Sequence, residues 1–161
     1  MRLYRIARRT YLRDLSGTGS RLHGGRWNSP GRAVVYTAGS VSLATLELLC
    51  HTPLTLIPEA FGLLTLEVPD AAELIETIEP ADLPDEWRAA PAPTALALLG
   101  DAWLQRGDSL LLRVPSAVVP SEWNYLLNPA HARMAEVRIA EEAAFALDAR
   151  LGASWTPHPL F

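Results

Sequence analysis

The chain has 161 residues, enough for one domain-sized core and too few for two. Apolar residues make up 49% and charged residues 20%, a balance that supports a packed interior and argues against disorder along most of the length. The formal charge is −4, and apart from Arg8-Arg9 the arginines are scattered, so direct binding of DNA or RNA is not expected.

A single cysteine, Cys50, excludes an internal disulfide, and together with four scattered histidines it makes no zinc-ligand spacing, so neither a disulfide nor a metal is expected. The N-terminal stretch MRLYRIARRTYL lacks the apolar centre of a signal peptide, and no segment approaches the roughly 18 apolar residues of a membrane span. A cytoplasmic protein without membrane contact is the expectation. Arg13, Arg21, Arg26 and Arg32 fall in the first quarter while acids dominate residues 67–86, an asymmetry that fits a local basic pocket for a small phosphorylated ligand.

In chain order, Leu3-Tyr4-Arg5-Ile6 alternates as a short strand, and the polar residues 14–25 read as a long loop. Residues 25–28 and 33–37 read as a hairpin turned by Ser29-Pro30-Gly31. Ser40 is an N-cap for a helix to about His51, stopped by Pro53, with Leu43, Leu46 and Cys50 on its apolar positions. Residues 62–68 alternate as a strand, and the Pro-rich residues 80–93 predict an irregular flap over a cleft. Residues 94–105 predict a helix burying Trp103, residues 110–114 a buried strand, Pro115-Ser116 a turn, and residues 117–119 a second short strand. Residues 136–151 satisfy both helix composition and strand alternation, and periodicity leaves the two open. No internal repeat is present, so residues 1–161 are read as a single domain.

Two places carry chemistry. Glu47 falls four residues after Leu43 and three before Cys50, which puts a carboxylate on the apolar stripe of its helix. Buried there it requires a partner, for which Arg26 is the natural candidate; with a slightly different helix phase it lies at the solvent boundary. Gly24-Gly25-Arg26 combines two residues without side chains and a guanidinium, which suits a pyrophosphate, although paired glycines before a strand also make an ordinary turn. Neither a GxGxxG nor a P-loop pattern is present, so a Rossmann mode of NAD binding is not supported.

Taken together, Gly24-Gly25-Arg26-Trp27-Asn28-Ser29, Val34-Val35-Tyr36-Thr37-Ala38, Ser42-Leu43-Ala44 and Leu46-Glu47 resemble the opening signature of the RES domain family. Gly100-Asp101-Ala102-Trp103, the run from Leu112 through Pro115-Ser116 to Pro120, and Asn124-Tyr125-Leu126-Leu127-Asn128-Pro129 resemble its closing signature. The family's arginine, glutamate and serine match Arg26, Glu47 and Ser116, with Ser121 the lesser alternative. The resemblance implies a single α+β domain similar to ADP-ribosyltransferases, with a mixed sheet and flanking helices. It also implies a toxin that uses NAD as substrate, needs no other cofactor, and is silenced by an Xre-like antitoxin.

On that basis Glu47 would face the ribose carbon as it becomes cationic, Gly25 and Arg26 would hold phosphate, Tyr36 would stack on nicotinamide or ribose, and Ser116 would orient the ribose. Asn128 joins these as a substrate-binding candidate and, with His131, as a residue shaping the cleft. No His and Asp pair accompanies Ser116, so it is not read as a nucleophile. The acceptor stays open between water, phosphate and a protein, and a catalytically inactive nucleotide- or antitoxin-binding module is the alternative from another class. The aromatic tail from Trp155 to Phe161 is compatible with an antitoxin interface or a homodimer contact.

Overall fold

Strands with buried apolar side chains, those at Phe61–Glu67 and Leu111–Pro115 buried at nearly every position, set the architecture of residues 1–52 and 61–151, which are those described in the computed structural model. They form an α+β domain with a mixed sheet, the class expected from the sequence. The elements in order are β1 (Arg2–Arg8), α1 (Thr18–His23), β2 (Val35–Ala38), α2 (Val41–His51), β3 (Phe61–Glu67), β4 (Ile75–Thr77), α3 (Thr94–Arg106), β5 (Leu111–Pro115), β6 (Trp123–Leu127) and β7 (Arg138–Ala144). The seven strands lie in the order β4-β5-β6-β2-β1-β3-β7. All neighbours are antiparallel except the parallel pair β4 and β5.

One face of the sheet buries Leu3, Val35, Leu64, Leu66, Leu111 and Leu127, covered by Leu12 and Leu74 from the connections. Leu112, Val114 and Leu126 belong to a separate cluster with Trp27, Trp87, Leu96 and Trp103, the last two from α3. Leu43 and Ala44 of α2 pack with Ala38, Tyr4 and Ile6. The sheet is not uniformly closed. β1 pairs with β3 along its whole length, from Arg2↔Glu67 to Arg8↔Phe61, whereas it meets β2 only at Tyr4↔Ala38.

The helix start at Ser40 is as read from sequence: its side chain accepts from the Leu43 N–H at 3.0 Å and α2 ends at His51. Pro53 and the tail 155–161 lie outside the described residues. Four expectations are corrected. Residues 14–25 include the short helix α1. Residues 25–28 and 33–37 do not form a hairpin: Gly25 and Asn28 bridge each other in a tight turn, and β2 instead pairs with β1 and β6. Residues 117–119 are not a strand, because the Ser116 hydroxyl accepts from the Val118 and Val119 N–H groups and curls the chain into a turn. Leu46 and Cys50 are exposed, so the buried stripe of α2 runs through Leu43 and Ala44 without them.

The ambiguous C-terminal stretch resolves as the strand β7, which pairs with β3 and contributes Ile139 to the edge of the first core cluster. Cross-strand pairing there overrides the helical preference of its alanines. Among the described residues no helix is long and apolar enough to cross a membrane.

Helix α3 approaches the chain at Trp27 so closely that only glycine fits at position 100. A Cβ placed there would stand 1.8 Å from the Trp27 carbonyl oxygen. Gly100→Ala is therefore expected to cost about 3 kcal/mol of stability by overpacking, read as a lower urea midpoint at unchanged slope.

Candidate functional site

Where β1 and β2 part beyond Tyr4↔Ala38, a cavity of about 730 Å³ opens, within the range of about 300–1,000 Å³ usual for small-molecule and cofactor sites. Its walls come from Tyr4, Arg5 and Ile6 of β1, Tyr36 to Ala38 of β2, and Ala44, Glu47, Leu48 and His51 of α2. The turn at 24–27, the small residues Ala90, Pro91 and Ala92, and Ala117 and Asn124 complete it.

Glu47 is half-buried on the cavity side of α2. Its Oε1 accepts from the Ser116 hydroxyl at 2.8 Å and from Asn124 Nδ2 at 2.5 Å. Arg26 is not its partner, contrary to the expectation from charge complementarity. Because the Ser116 oxygen already accepts from Val118 and Val119, each at 3.1 Å, its single hydrogen must point to Glu47. Ser116 is fully buried and thus acts through the carboxylate; the expected direct bond from Ser116 to a ribose has no geometry to support it. Both donors hold the same oxygen, and Oε2 has no partner among the described residues.

The carrier of Glu47 is braced at its start. Ser40 donates to Glu122 Oε2 at 2.9 Å while capping α2, and the Glu122 carbonyl accepts from the Ser116 N–H at 3.0 Å. One residue on the β6 side thus ties the helix that bears the carboxylate to the loop that holds it.

Tyr36 lines the cavity, and its hydroxyl is committed to protein partners. The hydroxyl donates to Asn28 Oδ1 at 2.7 Å and accepts from the Trp27 N–H at 3.1 Å. Asn28, itself 1% exposed, donates to the carbonyls of Ser20 and Arg32 at 2.9 and 2.8 Å. Gly25 is required at this junction, since a Cβ would lie 2.5 Å from the Tyr36 oxygen. From the other side, Asp101 of α3 accepts from the Ser29 N–H at 3.0 Å.

The phosphate cradle read from Gly24-Gly25-Arg26 is not open. The Gly24 N–H donates to the Ser20 carbonyl at 2.7 Å and that of Gly25 to the Asn28 carbonyl at 2.9 Å. Arg26 lines the cavity, but Nη1 and Nη2 donate to the carbonyls of Trp87 and Ala89 at 2.7 and 3.2 Å. Asn128 is buried away from the lining, its side chain accepting from the Ala130 N–H, and His131 similarly accepts from the Arg133 N–H. Arg13 pairs with Glu142 at 3.2 Å, and neither Arg13 nor Arg21 reaches the cavity.

Sequence reasoning missed Arg5 and Asn124. Arg5 is a cavity guanidinium whose Nη1 donates to the carbonyls of Leu12 and Asp14, leaving Nε and Nη2 without a protein partner among the described residues. Burial lowers its pKa, opposed by the nearby Asp14 carboxylate. The available signal was a lone charge inside the strand Leu3-Tyr4-Arg5-Ile6. Asn124 stood in the closing block without a role, and only the pairing of β6 with β2 brings it to the cavity.

The RES domain matches residues 2–148 of the chain. "Toxin Res" of Yersinia enterocolitica is 41% identical over 153 residues, covering 94% of this chain and 99% of that protein. The "Prs ADP-ribosylating toxin" of a Sphingobium species is 44% identical over 125 residues, covering 76% of this chain and 78% of that one. Among solved structures, a chain of the M. tuberculosis MbcT-MbcA toxin-antitoxin complex superposes with a TM-score of 0.74 at 21% identity, covering 90% of this chain and 84% of that one. That likeness extends to the fold.

Burial raises the Tyr36 pKa well above its ordinary 10.0. The folded chain therefore disfavours tyrosinate while the unfolded chain ionises freely, and stability present below pH of about 10 falls as pH rises further. Chemical denaturation should show a shallower alkaline loss in Tyr36→Phe than in the wild type.

Proposed function

The chain belongs to the RES domain family, and from that footing we propose that it is the toxin of a toxin-antitoxin pair, an enzyme that breaks the nicotinamide–ribose bond of NAD. The observation that carries this reading is Glu47, with one oxygen fixed by Ser116 and Asn124 and the other unpartnered on the cavity wall.

Breaking the bond sends its electron pair to the nicotinamide ring, which leaves neutral, and puts positive charge on the ribose. A fixed carboxylate lowers the energy of that charge without reorganising as it develops. A unit charge about 4 Å away is worth about 4 kcal/mol at an effective dielectric of about 20, or about three decades in rate. The ring of Tyr36 supplies a face for stacking, and Arg5 supplies the unpaired donors that the pyrophosphate needs. Arg5 thereby takes over the phosphate role first read into Arg26 and Gly25.

Water or inorganic phosphate is the acceptor in this reading, and an Xre-like antitoxin is the silencing partner; the fold shared with a chain of a toxin-antitoxin complex supports such a partner. A second reading, transfer of ADP-ribose to a protein, is favoured by the name of the Sphingobium relative.

Antitoxin-free protein is expected to consume NAD, and Glu47→Gln, which keeps an acceptor for both donors, to do so about 10³-fold more slowly with an unchanged circular dichroism spectrum. Product analysis with and without phosphate identifies the acceptor. NAD that stays intact while labelled ADP-ribose appears on a lysate protein would favour the second reading; neither event in a folded wild type would defeat both.

A further inference from the structure

Residues 88–92 run beside the cavity between two fixed ends, with Ala90 to Ala92 in its wall. On one side Trp87 is buried with Trp27 and Trp103, and on the other Pro93 leads into α3. Between them Ala90, Pro91 and Ala92 form part of the cavity wall with very little side chain of their own. Small apolar side chains give this segment little contact area to hold it down.

Among the described residues, the side-chain hydrogen bonds that attach it to the neighbouring walls come from two guanidinium groups. Arg26, from the turn at 24–28, reaches the carbonyls of Trp87 and Ala89 at 2.7 and 3.2 Å. Arg88, within the segment itself, donates from Nε to the Ala117 carbonyl at 3.0 Å. Ala117 directly follows Ser116, so the second attachment lands on the loop that holds Glu47. Arg88 is exposed and does not line the cavity.

We propose that residues 88–92 are a strap latched beside the cavity by Arg26 and Arg88, and that Arg88 is a positioning residue for substrate binding through this latch. Arg26 then serves the site by holding the wall in place, with its N–H groups on backbone carbonyls. The kinetic part rests on reading the cavity as the NAD site; the structural part does not.

Hydrogen exchange of the ligand-free protein tests the latch directly. Arg26→Gln and Arg88→Gln are each expected to speed exchange of the Ala89 N–H, which donates to the Glu86 carbonyl at 2.9 Å, by about tenfold while the sheet keeps its protection. In NAD consumption, Arg88→Gln is expected to raise KM by about fivefold with kcat within about twofold, and Arg88→Lys, which keeps a donor, to restore most of the loss.

Wild-type exchange rates in both variants would overturn the proposal, as would a loosened strap in Arg88→Gln with an unchanged KM. Should the wild type leave NAD intact, the NAD reading fails, and the exchange experiment by itself decides the latch. In that case acceleration in both variants upholds the latch and its absence removes it.

Discussion

A carboxylate on the inner side of a helix cannot remain there without donors, and the arrangement of the site follows from how Glu47 is satisfied. Both donors come from far along the chain, 69 and 77 positions away at Ser116 and Asn124. They are brought in by the pairing of β6 with β2 and β5, which sets Asn124 opposite Ala38 and Val114. Ser116 is held in turn by its three-residue turn and by Glu122, whose side chain also meets the cap of α2. Moving any of these groups disturbs the carboxylate, so the strand ladder and the helix cap are as much a part of the site as Glu47 itself.

The same logic explains the turn at 24–29, where the opening signature lies. Its glycine, asparagine and tryptophan form a junction: Asn28 ties the turn to the carbonyls of Ser20 and Arg32, the Tyr36 hydroxyl bridges Asn28 and Trp27, and α3 presses on Trp27 at Gly100. Residues that stand together in the sequence motif are therefore mostly occupied with one another. Of the arginine, glutamate and serine that give the family its letters, Glu47 lines the cavity with a carboxylate oxygen that has no partner among the described residues, whereas Arg26 commits Nη1 and Nη2 to backbone carbonyls and Ser116 commits its hydroxyl to protein partners.

This division marks what was legible in the sequence. Local signals were read correctly: the Ser40 cap, the strands β1 and β3, and the burial of Trp103 in α3 are properties of short windows, although β3 is buried at nearly every position and not at alternate ones. The place of Glu47 one turn after the buried Leu43 was also legible, because it depends only on helical period, although Leu46 and Cys50, assigned to the same stripe, are exposed and Glu47 is half-buried. Its partners were not. Charge complementarity nominated Arg26, but a neutral hydroxyl and an amide hold the oxygen, and both reach it through long-range pairing. In the same way, a glycine pair does not disclose whether its N–H groups are free, and here local carbonyls take them. The strand expected at 117–119 but absent and the false hairpin at 25–37 share this cause, since a hydroxyl and a distant strand decided them.

The location of the cavity also follows from a constraint on the sheet. Along β1 and β3, seven residue pairs form the ladder, but β1 and β2 share only Tyr4↔Ala38, so backbone hydrogen bonds do not close that seam. What spans it is α2, whose Leu43 and Ala44 pack on Tyr4, Ile6 and Ala38 from both strands. Glu47 lies one helical turn beyond Leu43, at the point where that packing ends and the strands have separated. Side-chain packing that holds the weak seam together thus also fixes how far the carboxylate projects into the space the seam leaves open. A helix that closed the sheet more fully would bury Glu47 without a cavity, and one that closed it less would lose the donors at Asn124 on β6 and Ser116 after β5.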